Sequence, residues 1–126
     1  MILLGDGISK KYMRKRKTSN FFYALEPTSL ELRSGVTMVS GRSGSGKSTL
    51  LNILSGILVP SEGKVLVDGT DLYSLSEEKL AKFRCENMGI IPQGRALIDS
   101  LTVMENIMLP GAFYGSSEQK KDAQIK

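Results

Sequence analysis

The sequence predicts an α/β fold in which a buried strand, a glycine-rich loop and a helix follow one another. Residues 36–39 are apolar and mostly β-branched, as in a buried parallel strand. After the loop, apolar side chains recur at the spacing of one helical face, at Leu50, Ile53, Leu54, Ile57 and Leu58. Shorter strands and turns on either side of this unit predict an antiparallel β region.

The loop itself, residues 41–48, fits the phosphate-binding pattern G-x-x-x-x-G-K-[ST]. Its glycines at 41, 44 and 46 leave no Cβ atoms in the way of a bound phosphate. The helix would begin at Lys47 and direct its positive end at the anion. The bare pattern arises by chance in on the order of one sequence per hundred of this length. With the strand before it and the helix after it, the loop predicts phosphate binding.

Length and composition indicate one domain or part of one. Apolar residues make up 40% of the chain and charged residues 24%, which is typical of a soluble globular protein. No apolar run is long enough to span a membrane, and the N-terminus lacks the features of a secretory signal. A single cysteine, Cys85, and the absence of histidine are compatible with a reducing cytoplasm and exclude histidine chemistry within these residues.

The net charge of +4 comes from one local cluster. A nucleic-acid-binding domain usually spreads its positive charge over a whole face, and here the remainder of the chain is slightly acidic. We therefore interpret the cluster as a solvated loop, with attraction of nucleotide phosphate or anionic lipid as the alternative. Its members are Lys10, Lys11, Arg14, Lys15, Arg16 and Lys17.

The remaining strands are predicted from alternation and turn residues. Residues 2–4 with Ile8 predict a short first strand, and residues 29–32 predict a half-buried second strand. Residues 64–67 predict a third strand, closed by an Asp-Gly hairpin turn at Asp68. A magnesium-binding role for Asp68 at the end of that strand is the less favoured alternative.

Three helices are predicted from capping boxes, in which a hydroxyl and a Glu or Gln side chain three residues apart satisfy each other's backbone amides. The first pair, Ser74 and Glu77, predicts a helix that ends near Asn87. The next segment, residues 88–91, predicts a buried strand that Pro92 ends.

The second capping box, Thr102 and Glu105, predicts a short helix that ends at residues 110–111, a Pro-Gly pair. A third, at Ser116 and Gln119, opens a helix with no stop signal after it. We therefore expect the chain to be part of a longer domain.

Five segments in this order resemble the first half of an ATP-binding cassette (ABC) transporter ATPase, closest to the lipoprotein-release, macrolide-efflux and antimicrobial-peptide-resistance branch. They are residues 8–12, 41–54, 60–63, 90–93 and 101–106. That branch commonly has an aromatic residue where Pro92 stands. The resemblance implies an α/β P-loop NTPase with an antiparallel β subdomain and part of the parallel core sheet. Residues 1–126 would be the N-terminal portion of a single nucleotide-binding domain whose C-terminal half is missing.

The resemblance also implies ATP and Mg²⁺ as ligands. Tyr12 would stack on adenine, with Phe22 and Tyr23 as rival candidates. Lys47 would hold the β and γ phosphates, and the Ser48 hydroxyl would ligate Mg²⁺. Further nucleotide contacts would come from the rest of the loop and the helix start, at Gly41, Ser43, Gly44, Ser45, Gly46 and Thr49.

Gln93 resembles the glutamine of the family's Q-loop. It would touch the metal and lie where the ATPase meets the membrane subunit, so Lys47 and Gln93 are the candidate catalytic residues. The family's later motifs, the Walker B aspartate, catalytic glutamate, signature sequence and switch histidine, are absent from these residues. We expect these residues to bind ATP weakly and to hydrolyse it little or not at all. We also expect apolar surface at residues 36–39 and 90–91 to be uncovered.

In the complete protein the resemblance implies a homodimer of ATPase subunits. Their membrane partners would be separate permease subunits that export or extract a lipophilic or peptidic substrate. Such a subunit is cytoplasmic and peripheral on the inner face of the cell membrane, and nucleic acid is an unlikely partner. The alternatives are a soluble ABC-type ATPase acting on nucleic acid or ribosomes, a small P-loop kinase or GTPase, and a nucleotide-binding fragment without turnover.

Overall fold

The computed structural model describes residues 1–14, 20–94 and 96–113. The chain divides into two compact units, Met1–Leu80 and the residues from Ala81 onward, with the boundary inside a helix. The elements are β1 (Leu3–Met13), β2 (Phe21–Leu32), α1 (Lys47–Leu54), β3 (Glu62–Val67), β4 (Thr70–Asp71), a 3-10 turn (Leu72–Ser74), α2 (Glu77–Asn87) and α3 (Val103–Phe113).

The four strands form one sheet in the order β2-β1-β3-β4, and every neighbouring pair is antiparallel. This confirms the predicted antiparallel region. The strands β1 and β2 are longer than predicted, because the aromatic residues of β2 pair with the end of β1, from Lys11↔Tyr23 to Met13↔Phe21. Alternation alone could not extend the strands this far, since basic and aromatic residues are mixed there.

The core of the first unit lies between the sheet and α1. Ile8 of β1, Val65 of β3, Ile53 of α1 and Leu72 are all fully buried. The predicted apolar face of the helix is confirmed over its first turns, since Leu50, Ile53 and Leu54 are buried. Each such side chain contributes about 1.5–3 kcal/mol relative to an exposed position.

The helix α1 ends at Leu54, four residues before the end of its predicted apolar face. Gly56 takes a left-handed conformation, with φ of 74°, and turns the chain out of the helix. The backbone amides of Ile57 and Leu58 then both donate to the carbonyl oxygen of Asn52, at 2.9 and 3.0 Å. The prediction that these two residues continue the helical face is therefore wrong, and Ile57 is 53% exposed.

The predicted hairpin turn is confirmed between β3 and β4. Asp68 and Gly69 have φ of 48° and 84°, the two positive values that a tight two-residue turn requires. The Asp68 carboxylate accepts a hydrogen bond from the backbone amide of Ile2 at 2.7 Å. Asp68 is thus a turn residue that also fastens the start of the chain, rather than a carboxylate at the end of a parallel strand.

The helix α2 ends at Asn87 as predicted, but its cap differs. The hydroxyl of Ser76, and not of Ser74, accepts a hydrogen bond from the backbone amide of Lys79 at 3.4 Å. The hydroxyl of Ser74 instead donates to the carbonyl oxygen of Asp71 at 2.7 Å, within the 3-10 turn. The predicted capping box at Ser74 is wrong because two serines compete and the extra turn shifts the helix start by two residues.

The helix α3 opens with the predicted capping box. The backbone amide of Thr102 donates to the Glu105 carboxylate at 2.7 Å, and the amide of Glu105 donates to the Thr102 hydroxyl at 3.2 Å. The predicted end at residues 110–111 is wrong, because α3 continues to Phe113. A proline removes one helical hydrogen bond without forbidding the next turn. The third capping box, at residues 116 and 119, lies outside the described residues.

Neither of the two predicted buried strands is present. Residues 36–39 and 88–91 have no assigned strand, and no parallel strand pair occurs within the described ranges. Val36 is fully exposed, Met38 is 86% exposed and Ile91 is 94% exposed. The strand predictions are therefore wrong here, because a strand needs a neighbour for its backbone groups. The expectation of uncovered apolar surface at these segments is confirmed.

Candidate nucleotide-binding site

Two glycines with positive φ give the loop before α1 its shape. Gly44 and Gly46 have φ of 79° and 100°, and Gly46 is the residue that caps α1. The backbone amide of Ser45 donates to the carbonyl oxygen of Arg42 at 3.1 Å and closes a tight turn between them. Because L side chains rarely adopt these values, glycine is required at both positions.

The junction of loop and helix lies directly against β2. A Cβ atom added to Gly46 would come within 2.7 Å of the Ala24 carbonyl oxygen and 3.3 Å of the Leu25 side chain. A Cβ at Gly41 would meet the Ser45 hydroxyl at 2.8 Å. The loop therefore folds closely on itself and on the sheet, and its glycines have a packing reason as well as a conformational one.

Lys47, the first residue of α1, reaches back across the loop. Its ammonium group donates to the carbonyl oxygens of Gly41 and Arg42, both at 2.7 Å, and lies 3.3 Å from the Ser45 hydroxyl. The first turn of α1 contains no acidic residue. The N–H groups of a first helical turn have no partner within the helix and carry partial positive charge. Ammonium group and helix start together form a cationic cradle suited to phosphate oxygens.

Ser48 and Thr49 follow Lys47 in the first turn of α1. Ser48 is exposed and Thr49 is half-buried. A hydroxyl oxygen is a ligand that Mg²⁺ accepts, and Mg²⁺ usually completes its shell with water and substrate phosphate. The described residues hold no cluster of three or more histidine, cysteine or acidic side chains that could bind a metal. A magnesium ion held at the Ser48 hydroxyl would share its remaining ligands with phosphate and water.

Tyr12 lies near the end of β1, directly opposite Phe22 of β2. Their ring centroids are 5.9 Å apart, and each residue is 43% exposed. The ammonium nitrogen of Lys10 lies 5.4 Å from the Tyr12 ring centroid. We call Lys10, Tyr12 and Phe22 the Tyr12 face.

The other side of the same β1–β2 ribbon carries a second aromatic pair. Phe21 and Tyr23 pack edge to face, with centroids 5.4 Å apart, and the Lys11 ammonium lies 5.1 and 5.5 Å from them. We call Lys11, Phe21 and Tyr23 the Phe21 face. Of the two rival stacking candidates, Phe22 therefore shares a face with Tyr12, whereas Tyr23 does not.

Strand pairing connects the Tyr12 face with the part of β2 that lies beside Gly46. Lys10 pairs with Leu25 in the sheet, and a Cβ atom added to Gly46 would lie 3.3 Å from the Leu25 side chain. Tyr12 is two residues further along β1, a distance of about 7 Å along a strand. Gly46 of the loop therefore lies beside a residue of β2 whose sheet partner, Lys10, belongs to the Tyr12 face.

The first two cations of the basic cluster are engaged in the fold. The Lys11 ammonium forms an ion pair with the Glu62 carboxylate at 2.6 Å. Hydrogen bonding to Glu62 raises the pKa of Lys11, and hydrogen bonding to Lys11 lowers the pKa of Glu62. Lys10 donates to the carbonyl oxygen of Val59 at 2.8 Å. Residues 15–17 of the cluster lie outside the described residues.

Gln93 belongs to the second unit, where it is exposed in an irregular segment. Gly94 follows it with φ of 95° and turns the chain. The contact of Gln93 with the metal and its location at the interface with a membrane subunit stay predictions.

Asn106 of α3 organises the neighbouring loop of the second unit, a role that the sequence did not reveal. Its side-chain amide accepts from the backbone amide of Ile98 at 2.8 Å and donates to the carbonyl oxygens of Ile98, Leu101 and Thr102 at 3.0–3.2 Å. Beside it lies an apolar groove of about 330 Å³, lined chiefly by Leu97, Ile98, Leu101, Val103 and Ile107. The sequence does not predict these hydrogen bonds of Asn106, because they depend on how the backbone of residues 98–102 folds back toward the helix.

The glycine loop, the helix that follows it and the β subdomain are those of a P-loop NTPase. The sequence profile of the family "ABC transporter" matches residues 25–126. The chain belongs to this family of transporter ATPase domains.

Two relatives illustrate the similarity. The chain is 40% identical over 113 residues to the ABC transporter ATP-binding protein YtrE of Bacillus subtilis, covering 87% of this chain and 49% of that protein. It is 37% identical over 121 residues to the lipoprotein-releasing system ATP-binding protein LolD of Buchnera aphidicola, covering 95% of this chain and 52% of that protein. The chain thus spans about half the length of these relatives.

A solved structure shares the fold as well. The ATP-binding cassette MJ0796, in a dimeric post-hydrolysis state bound to ADP and phosphate, matches with a TM-score of 0.75 and 33% identity. The match covers 95% of this chain and 53% of that chain. Within the described part of this chain, no helix has the length and apolar character needed to cross a bilayer.

Proposed function

We propose that residues 1–126 form the N-terminal portion of a single ABC nucleotide-binding domain and bind ATP with Mg²⁺. The observation that carries the proposal is the Lys47 ammonium, which lies across a glycine loop at the start of a helix. The Lys47 ammonium and the N–H groups of the first helical turn together offer positive charge to a phosphate chain.

Each part of the site has a separate task in this proposal. The backbone amides of residues 43–46, with the Ser43 and Ser45 side chains nearby, surround the phosphates, and Lys47 neutralises the β and γ phosphates. Ser48 would provide a hydroxyl ligand for Mg²⁺, which would offset the negative charge of the phosphates, and Thr49 would add a contact to the α and β phosphates. Tyr12 offers its exposed ring to the adenine base.

In the whole protein, we propose that two such domains bind ATP between them and that hydrolysis drives transport by separate membrane subunits. The dimeric state of the cassette bound to ADP and phosphate supports the first part. The name of the lipoprotein-releasing relative supports a lipophilic cargo. We also propose a place at the cytoplasmic face of the membrane, where the separate membrane subunits would be reached. Gln93 would then be a metal contact and part of the surface toward the membrane subunit.

Exchanging Lys47 tests the binding proposal. We expect Lys47→Ala to weaken ATP·Mg binding at least about tenfold, because charge-assisted hydrogen bonds to phosphate are lost. The matched control is Lys64→Ala, which removes an exposed ammonium group from β3 of the same unit and should leave affinity unchanged. Titration calorimetry on the 126-residue chain provides the measurement. Equal affinity of the wild type and Lys47→Ala would refute the proposed site.

We further propose that these residues alone hydrolyse ATP little or not at all. Hydrolysis by the family's mechanism needs a water-orienting base and metal carboxylates. Among the described residues, no group of three or more histidine, cysteine or acidic side chains could hold a metal ion. Phosphate release by the purified chain at enzymatic rates, lost in Lys47→Ala, would contradict this part while leaving ATP binding intact.

A further inference from the structure

Lys10 is the charged residue of the Tyr12 face, and its ammonium group has two described contacts. It lies 5.4 Å from the centroid of the Tyr12 ring and donates a 2.8 Å hydrogen bond to the Val59 carbonyl oxygen. A cation at this distance from an aromatic ring is attracted by the ring's electron density. The hydrogen bond to Val59 keeps the Lys10 ammonium beside the Tyr12 ring.

The Val59 carbonyl is a firm anchor because the following residues are tied to β1. The backbone amide of Ser61 donates to the Ser9 carbonyl oxygen at 2.7 Å. The backbone amide of Lys11 donates to the Ser61 hydroxyl at 2.9 Å. These two hydrogen bonds attach the segment after Val59 to β1 on both sides of Lys10. They hold the Val59 carbonyl in place, and the carbonyl in turn holds the Lys10 ammonium beside the Tyr12 ring.

Tyr12 itself has few other restraints. Its ring is 43% exposed, and its one described aromatic neighbour is Phe22, tilted by 33° at 5.9 Å. An exposed ring that must be ordered when a base stacks on it loses rotamer freedom at that moment. A ring already held in place avoids this cost, which favours binding.

We infer that Lys10 is a positioning residue that holds the Tyr12 ring ready to receive the base of the nucleotide. This inference rests on the proposed function, since it requires that Tyr12 stacks on adenine. It goes beyond that function by assigning a role to a lysine that the sequence marks only as one member of a basic cluster. The predicted signature is selective: binding of the base depends on Lys10, whereas binding of the phosphates does not.

The Phe21 face provides a matched control. Lys11 is the next residue of β1, lies at a similar distance from aromatic rings and has its own acceptor in Glu62. It is on the opposite side of the ribbon from Tyr12, so Lys11→Met removes an equal charge and a comparable set of contacts without touching the Tyr12 ring.

The test compares ATP·Mg with inorganic tripolyphosphate·Mg, which lacks base and ribose, by calorimetry on the full chain. We expect Lys10→Met to weaken ATP binding about two- to fivefold, the range of an exposed cation–aromatic contact, and to leave tripolyphosphate binding unchanged. Lys10→Arg should retain ATP binding, because a guanidinium group can also donate and stack. Lys11→Met should change neither ligand. In a Tyr12→Ala background, Lys10→Met should have no further effect.

Several results would overturn the inference. An equal loss for ATP and tripolyphosphate would show that Lys10 acts through its general electric field. A loss that persists in the Tyr12→Ala background, or no loss at all, would show that the ring does not depend on Lys10. If Lys47→Ala fails to weaken tripolyphosphate binding, the proposed phosphate site fails and this inference falls with it. If Lys47→Ala behaves as expected and Lys10→Met does not, only the inference about Lys10 fails.

Discussion

The antiparallel sheet and the segment that follows it use similar apolar residues with opposite results. Ile8 and Val65 in the sheet are fully buried, whereas Val36 and Met38 are 102% and 86% exposed. The chemistry of the side chains does not differ enough to explain this. What differs is the presence of hydrogen-bonding neighbours: β1 has a strand on each side, and within the described residues the segment 36–39 has none.

The comparison teaches that β-branched composition marks a segment able to form a strand but does not supply its partners. A strand is stabilised by cross-strand pairs and by burial of one or both faces, so its formation depends on residues far away in the sequence. The phosphate-binding loop that follows residues 36–39 behaves differently. Its turn and its lysine contacts are all made within residues 41–47, and they form beside an unpaired segment.

The largest expected change in stability comes from substitutions that test the difference in burial between the sheet and residues 36–39. We expect Ile8→Ala to lower the free energy of unfolding by about 2–5 kcal/mol, because it removes a fully buried side chain and leaves a cavity. Val36→Ala should change it by less than about 0.5 kcal/mol, as for an ordinary surface position. Urea unfolding followed by circular dichroism measures both. Similar losses of unfolding free energy at the two positions would mean that residues 36–39 are buried in solution. The proposed difference between the two regions would then be wrong.

A smaller change in stability is expected when alanine replaces either of two glycines that have positive φ but different surroundings. Gly63 has φ of 86°, and a Cβ there would overlap the backbone oxygens of Asp6 and Gly7 in the neighbouring strand. Gly35 has φ of 124° with open space around it, at the start of the unpaired segment. Gly35→Ala should cost about 1–2 kcal/mol of stability from backbone strain alone.

Gly63→Ala should cost more than Gly35→Ala, because β1 and β3 must also move apart. Thermal unfolding of the two variants side by side gives the difference. If the two substitutions prove equally costly, the close approach of β3 to β1 contributes nothing to stability.

The smallest expected effect concerns the start of α3, a local structure that needs no partner elsewhere. Hydrogen bonds from the Thr102 backbone amide, and secondarily from its hydroxyl, hold the pKa of Glu105 below its usual value. A carboxyl whose pKa is lowered by folding stabilises the native state above its unfolded pKa, and this contribution is lost as the pH falls through the folded pKa.

Thr102→Val should raise the pKa of Glu105 part of the way to its usual value, since the backbone hydrogen bond remains. Carboxyl-carbon NMR shifts followed through a pH titration report this change. Thr102→Ser keeps the hydroxyl and is the control that should show no change. An unaltered pKa in Thr102→Val would mean that the capping hydroxyl does not bond to Glu105 in solution.

Predictions from local chemistry were largely correct. The hairpin turn at Asp68 follows from an Asp-Gly pair that tolerates positive φ, and the Thr102–Glu105 box follows from groups three residues apart. The helix after the phosphate-binding loop was also predicted, although its end was not. Gly56 ends it through a left-handed turn, and an apolar pattern that continues to Leu58 conceals that stop.

Predictions that needed distant partners were less successful. The aromatic residues 21–23 gave no sign that they extend β2, because their strand exists through pairing with residues 11–13. The prediction of Ser74 as the cap of α2 was wrong, because a 3-10 turn occupies residues 72–74 and Ser76 caps the helix instead. The Tyr12 and Phe21 faces likewise depend on the β1–β2 register, which places neighbouring aromatic residues on opposite sides of one ribbon.

The amino-acid sequence by itself determined the turn of the glycine loop, the Asp68–Gly69 turn and the cap of α3, because each depends on backbone freedom and hydrogen bonds within a few residues. Only the tertiary structure decided which apolar segments are strands, where β1 and β2 end, and which cation lies beside which ring. The physical reason is that strand pairing and side-chain faces arise between residues separated by tens of positions, where no local pattern specifies the partner.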